Sequence, residues 1–558
     1  MNLLVAAVAW LPSTDDLRLI GPELVLIGTI AIVLLLPLLA GRRPEVSAVT
    51  AVLGCLLALV ATWAVAAEVA DGPRDALSPP ATGLPMILAD RFAVFYRLLL
   101  LLTLGLIAWL WLIGVDAQRS RGLGGVSGPE FFVLLLTSAL GMLLMVSSLN
   151  LLVLILAIET ASLPSYALVA SDRRSRLGAE AALKYVLFGA AASAITVYGV
   201  SLLYGHFGTL DLGRMAAQLA QNDGGRTAPV VWLALATFGV GIIFKIAAVP
   251  MHFWCPDVFQ GAPIEVTTWL SVASKAAGLG LLLRLLHVFA TPVAAISSGT
   301  DPGHTALMLA YVVGALAAVT CTVGNLAALR QDSVKRILAY SSIAHAGYMM
   351  MAGALCAAPV RATDGADPGL AALLSYLAVY LLMNVGAFGA TALVVWQTGS
   401  DHLSAFTGLG RRAPWVAVPM AICLFSLVGL PPLGGFAAKW YLLLALGRAG
   451  STHPWLWILV VVAVLNTAIS LYYYVRIIRQ MYLVDDPQLP ALRPPVGGVA
   501  IVNACAVLLI LLGTVAFNAL GQRAATLASE VYTAPTRQPA PSVLTPTPVQ
   551  VVGLVNGR

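Results

Sequence analysis

Fourteen runs of mostly apolar residues, each about twenty long, follow one another along this chain, and about twenty is the length an α-helix needs to cross a bilayer's hydrocarbon core. In lipid every backbone N–H and C=O must be satisfied internally, and runs of this length do so as helices. The expected fold is therefore all-α, a polytopic membrane protein of about 14 transmembrane helices. The spans read as Leu19–Ala40, Ser47–Val69, Phe92–Gly114, Phe131–Ser147, Leu151–Ala170, Ala179–Tyr204, Pro229–Val249, Val266–Phe289, Thr305–Leu329, Val334–Cys356, Gly369–Trp396, Pro414–Leu430 continuing past a break to Leu446, Trp455–Tyr482 and Val499–Leu520. With 60% hydrophobic and only 10% charged residues, the chain is too apolar for a water-soluble fold.

Loop charges set the expected orientation. Alternate connections carry fifteen and seven basic residues; the richer side, which includes Arg42, Arg43, Arg173, Arg174, Arg411 and Arg412, is expected in the cytoplasm, with both termini extracytoplasmic. Met1 to Leu11 lacks the basic start of a secretory signal. Residues 522–558, rich in Thr, Pro and Ala, read as a disordered extracytoplasmic tail. The net charge of +6 is spread over short loops, so nucleic acid is not an expected partner. Six cysteines are scattered singly, with no CxxC and no Cys/His cluster. They read as small buried hydrophobes, and no metal, haem or iron–sulfur cluster is expected in this chain.

Charges inside the apolar runs are the informative exceptions. In FKIAAVPMHFWCPDVFQGAPIEVTTWLSVASKAAG, Phe244 to Gly278, Lys245 and Lys275 flank a loop holding Pro250, Pro256 and Pro263. A lysine at membrane depth costs roughly 3 kcal/mol, so it faces protein or a water path, and broken backbone at that depth is tolerated only there. In SLVGLPPLGGFAAKWYLLLAL the same device recurs, with Pro431, Pro432, Gly434 and Gly435 ahead of Lys439. Two interrupted segments, each with a lysine, are the pattern of an internally repeated transporter. The expected division is helices 1–3 in residues 1–128, a five-helix repeat in 129–290, a second in 304–483, and a last helix in 496–521.

The chain has five lysines, the other twenty-six of its 31 basic residues being arginine. Arginine cannot release its proton and lysine can, which marks Lys245, Lys275 and Lys439 as reversibly protonated groups. Glu159, midway along LNLLVLILAIETASLPSYALVA, is the expected acidic partner. Lys184 follows Glu180 by four residues, which suits either a structural pair or a step in a proton path. Lys335 and Arg336 read as topology determinants. His345, near Tyr340, Ser341 and Ser342, suits either a proton relay or a packed core residue. Arg284 and His287, outward of Lys275 on its helix, either close an exit or snorkel to the surface.

These residues, in this order, carry a resemblance. Glu159 in LAIETASLPSYAL, Lys245 in FKIAAVPMHFWCPDVFQGAP, Lys275 in SVASKAAG, GNLAALRQDSVKRILAYSSIAHAGYM, and Lys439 in GLPPLGGFAAKW closely resemble the antiporter-like subunits of proton-pumping NADH:quinone oxidoreductase, respiratory complex I. The same superfamily includes subunits of multisubunit sodium/proton antiporters and of membrane-bound hydrogenases. Lysine rather than glutamate at 439 separates the chain from the M-type, and a Pro/Thr tail in place of a long lateral helix separates it from the L-type, so it looks like the N-type. The resemblance implies a Glu159–Lys245 coupling pair, Lys275 as central proton carrier and Lys439 as carrier toward the periplasm. It also implies FMN, iron–sulfur clusters and quinone in partner subunits, other antiporter-like membrane subunits as neighbours, and a bacterial plasma membrane. A sodium/proton antiporter subunit and a structural scaffold subunit are the alternatives left open.

Overall fold

A computed structural model of the chain describes residues 12–41, 43–78, 85–120, 128–172, 174–222, 228–296, 304–358, 367–486 and 489–531. The short helix α1 (Thr14–Leu19) leads into α2 (Gly21–Ala40), α3 (Pro44–Glu68) and α4 (Arg91–Ser120). Then follow α5 (Pro129–Ser147), α6 (Leu151–Val169), α7 (Arg176–Phe207), the amphipathic α8 (Leu212–Asn222), α9 (Pro229–Ile246), α10 (Trp254–Gly261) and α11 (Ile264–Trp269). A π-turn at Leu270–Ser274 joins α11 to α12 (Lys275–Ile296). The chain continues through α13 (His304–Ala328), α14 (Val334–Ala357), α15 (Pro368–Thr398), the one-turn α16 (Leu409–Arg412), α17 (Pro414–Val428), α18 (Gly434–Ala449), α19 (Leu456–Tyr482), α20 (Val496–Gly513) and α21 (Phe517–Val531).

Among the described residues, twelve helical segments are long and apolar enough to cross a membrane, and each matches an expected span. The other two expected spans differ for physical reasons. Helix α14 is long enough but carries Lys335, Arg336, Ser341, Ser342 and His345, and it is buried on nearly all sides, as a polar span in lipid has to be. The span expected from Pro414 to Leu446 is two helices, α17 and α18.

Between α3 and α4, β1 (Arg74–Ala76) pairs antiparallel with β2 (Ile87–Ala89), a short hairpin outside the spans of an otherwise all-α fold. One expectation needs correction. The last span stops at Gly513 rather than Leu520, and residues up to Val531, assigned to a disordered tail, form α21. Ala524 and Ala528 bury one face of that helix, and Gly521 lies against the Tyr441 ring. The tail beyond residue 531 lies outside the described residues.

Both breaks follow from proline chemistry. Proline has no N–H, so the carbonyl four residues earlier loses its helical partner. Pro250 removes the partner of Ile246, and α9 ends there with Ala247 in the left-handed region at φ 61°. The freed groups are reused: the Val249 amide donates to Thr320 Oγ1 (3.0 Å), and Ser274 Oγ donates to the Lys245 carbonyl (3.3 Å). Pro431 and Pro432 remove the partners of Leu427 and Val428. The start of α18 then packs hard on the end of α17, the Gly435 amide donating to Ser426 Oγ at 3.0 Å. A β-carbon at Gly435 would fall 1.8 Å from the Ser426 carbonyl oxygen, so only glycine fits there.

Candidate functional site

Three lysines and a histidine form a buried series in the interior. Lys245, Lys275, His345 and Lys439 are 2%, 1%, 2% and 6% exposed, so each has had to find partners inside the protein.

Lys245 stands on the last turn of α9, where cations complement the helix dipole. Its ammonium donates to Ser162 Oγ on α6 (3.0 Å). Glu159 lies one turn earlier on α6 and accepts a hydrogen bond from Ser193 on α7. Each partner of the Glu159–Lys245 coupling pair implied by the resemblance is thus held by a serine. Residues three apart share a helix face, so the Glu159 carboxylate stands one turn from the serine that holds Lys245.

Lys275 opens α12 directly after the π-turn, whose extra residue per turn shifts the helix register at that point. Its ammonium donates to Cys255 Sγ (3.7 Å) and lies over the Phe259 ring, 4.8 Å from the centroid. Both partners come from α10, in the break after Lys245. Cys255, read from sequence as an inert hydrophobe, is a hydrogen-bond partner of a buried cation. Nearby, the Tyr380 hydroxyl donates to the Ser271 carbonyl in the π-turn (3.3 Å), and Ser342 Oγ of α14 donates to the Ala339 carbonyl (2.7 Å).

His345 sits in an aromatic cage. Its Nδ1 pairs with the Tyr376 hydroxyl at 2.8 Å and its Nε2 with the Tyr474 hydroxyl at 3.4 Å. The rings of Tyr348 and Tyr380 lie 5.8 and 5.5 Å from the imidazole.

Lys439 closes the series. It caps what the prolines opened, donating to the Val428 carbonyl (2.9 Å) and the Leu427 carbonyl (3.2 Å), with Thr467 Oγ1 third at 3.4 Å. The ammonium lies over the Tyr348 ring (4.5 Å), and the Tyr348 hydroxyl in turn pairs with Thr467 at 3.2 Å. The Tyr348 ring thus lies against both His345 and Lys439, and Tyr380 spans from His345 to the π-turn just ahead of Lys275. Single-residue reading missed these contacts; their signal is a run of hydroxyls at helical spacing on α14, α15 and α19.

Other candidates fall elsewhere. Lys184 pairs with Glu180 (2.7 Å) and with Asp257 (2.8 Å), and Arg336 binds the other oxygen of Asp257 (2.7 Å). This cluster clips α10 to α7 and α14 on the arginine-rich side, and Lys184 is apart from the buried series. Lys335 is no solvated topology charge; its ammonium caps the end of α10 through the carbonyls of Gln260 (2.8 Å) and Ala262 (2.7 Å). Arg284 does not snorkel. It is buried against Asp90 in a bidentate pair, with Nε on the Val146 carbonyl (3.1 Å) and the guanidinium over Phe92 (4.7 Å). A second buried pair, Arg97 to Glu23 (2.8 Å), joins α4 to α2. No group of three or more His, Cys, Asp or Glu is placed to hold a metal ion among the described residues.

The profile described as NADH:quinone oxidoreductase/Mrp antiporter, TM matches residues 148–470, from the start of α6 to the polar middle of α19. The chain belongs to this family. Among members of the NADH:quinone oxidoreductase/Mrp antiporter family, NADH-quinone oxidoreductase subunit N of Anaeromyxobacter sp. (strain Fw109-5) is 39% identical, covering 82% of this chain and 88% of its own length. NADH-quinone oxidoreductase subunit N 2 of Sorangium cellulosum (strain So ce56) is 39% identical over 90% of this chain and 96% of its own. A chain of respiratory complex I from Thermus thermophilus is 33% identical with a TM-score of 0.69, covering 89% of this chain and 99% of that one. The Mrp complex of Dietzia sp. DQ12-45-1b contains a chain 21% identical with a TM-score of 0.74, covering 93% of this chain and 98% of that one, so family members of both kinds share the fold.

Proposed function

We propose that the chain serves as subunit N of a bacterial NADH:quinone oxidoreductase, the membrane module that moves protons while electron transfer from NADH to quinone takes place in partner subunits. The observation that carries this reading is the buried series Lys245, Lys275, His345 and Lys439. Among the described residues, no carboxylate touches any of the three ammonium groups. A lysine held by hydroxyls, a thiol and carbonyls, rather than by a counter-ion, is stabilised in its place yet keeps the freedom to exchange a proton.

Coupling is electrostatic in this reading. Charges about 7 Å apart interact by about 2 kcal/mol at an effective dielectric near 20, more than one pKa unit, so each lysine biases the next. A charge change in a neighbouring subunit alters the Glu159–Lys245 balance, Lys245 biases Lys275, and the proton passes by His345 to Lys439 and outward. Residues 129–290 and 304–483 act as the two halves of this path. FMN, iron–sulfur clusters and quinone reside in the partners, and both termini lie outside the plasma membrane.

The test is Lys275→Ala in the complete complex, reconstituted in vesicles. An assembled complex that oxidises NADH but pumps fewer protons supports the reading, and undiminished pumping overturns it. Loss of assembly together with activity favours a scaffold. Sodium-dependent proton exchange, without NADH oxidation by the purified assembly, favours an antiporter.

A further inference from the structure

Helix α19 is divided in character. From Leu456 to Leu465 its side chains are aliphatic apart from Trp457, whereas Asn466, Thr467, Ser470, Tyr473 and Tyr474 place five polar side chains on the half that runs toward the arginine-rich side. Their spacing of three, four and seven residues puts them on one face, against α13 and α14. Of this set only Thr467 touches Lys439, and none touches Lys275.

The remainder forms a ladder. Asn466 Nδ2 donates to Thr322 Oγ1 (3.0 Å), Asn325 Nδ2 donates to Asn466 Oδ1 (3.0 Å), and the Tyr473 hydroxyl donates to Asn325 Oδ1 (2.9 Å). The Tyr473 and Tyr474 rings lie 4.4 Å apart, and Tyr474 pairs with Ser341 and with His345 Nε2. One turn beyond Tyr473, Arg476 pairs with Asp332, whose side chain is 57% exposed, at the arginine-rich end of α13. Polar side chains therefore follow one another along this face of α19, from Arg476 near that surface past the adjacent Tyr473 and Tyr474 to His345, with the amides of Asn325 and Asn466 fixing the geometry of Tyr473.

We infer that this face of α19 is a second proton-uptake branch, which fills His345 and Lys439 from the arginine-rich side independently of Lys275. The inference rests on the pumping reading above. His345 is then a junction with three connections: laterally to Lys275, through Tyr348 to Lys439, and through Tyr474 to the surface. Once Lys439 has released a proton, the branch refills it without waiting for transfer along the whole membrane axis.

The test uses the complete complex in vesicles with Tyr473→Phe and Tyr474→Phe, which keep the rings and remove the hydroxyls, and Tyr441→Phe as a control off the branch. Each branch variant is expected to keep uncoupled NADH oxidation, to lose protons pumped per NADH by an amount approaching the Lys275→Ala loss, and to show an enlarged solvent isotope effect on pumping. A merely structural tyrosine would not change the isotope effect. Wild-type pumping by both branch variants, alongside failure of Lys275→Ala, overturns the branch alone. Undiminished pumping by Lys275→Ala overturns the parent reading instead. If Tyr474→Phe does not assemble, Tyr473→Phe, which touches Asn325 and not His345, decides by itself.

Discussion

The ammonium of Lys439 lies 2.9 Å from the carbonyl oxygen of Val428, in the place where a helix would have put the amide of residue 432, which is proline. The break in the helix and the lysine are therefore one device: the prolines expose two acceptors, and the cation satisfies them.

Replacing Lys439 by arginine tests whether capping or proton release matters. Arginine can reach the same carbonyls but cannot give up its proton. Lys439→Arg is expected to assemble with near-normal thermal stability and to lose proton pumping while uncoupled NADH oxidation continues. A variant that pumps at the wild-type ratio would remove Lys439 from the path.

Gly435→Ala tests the packing of the second break. A methyl group there collides with backbone that has nowhere to go, and overpacking of this kind costs about 1–3 kcal/mol. A lowered melting temperature with impaired pumping is expected, whereas alanine at Gly239, where nothing lies within 4 Å of the added carbon, should be tolerated.

Arg284→Met leaves Asp90 as a buried charge without its guanidinium, at a cost of about 3–5 kcal/mol. The complex should be recovered in low yield. Arg284→Met combined with Asp90→Leu should regain much of the loss, which a thermal-stability series of the purified complex would read directly.

Lys335→Met uncovers the carbonyls of Gln260 and Ala262, and a buried acceptor left uncapped costs about 1–3 kcal/mol. Lower stability with an unchanged number of protons per NADH in the surviving complex is expected. A change in that number with stability intact would put Lys335 in the proton path instead.

Much of this site is legible in sequence because lipid makes a buried charge conspicuous. Lys245, Lys275 and Lys439 declare themselves by sitting in apolar runs beside prolines, and Glu159 by sitting midway along another. Pairings across the fold are not legible. Asp90 and Arg284 are separated by 194 residues, and neither run announces the other. A lysine at a helix start near a loop is ordinarily solvated, and nothing local to Lys335 shows that the end of α10 arrives there. Nor does local pattern show that Ser162 and Ser193, ordinary helix residues, take the hydrogen bonds of Lys245 and Glu159. Helix α21 was hidden in a segment whose later residues, rich in Pro and Thr, dominate its composition.

The three acceptors around Lys439 differ in one respect. Carbonyl oxygens can only receive a hydrogen bond, but Thr467 can also give one, and its hydroxyl points to the Ala463 carbonyl at 2.9 Å while the lysine donates to it. An amine that has lost a proton still has two N–H groups, enough for Leu427 and Val428, and gains a lone pair that a hydroxyl can address. The break thus stays capped in either charge state, and only the Thr467 bond has to reverse its polarity. Thr467 reports the charge on Lys439 by the direction in which its hydroxyl turns.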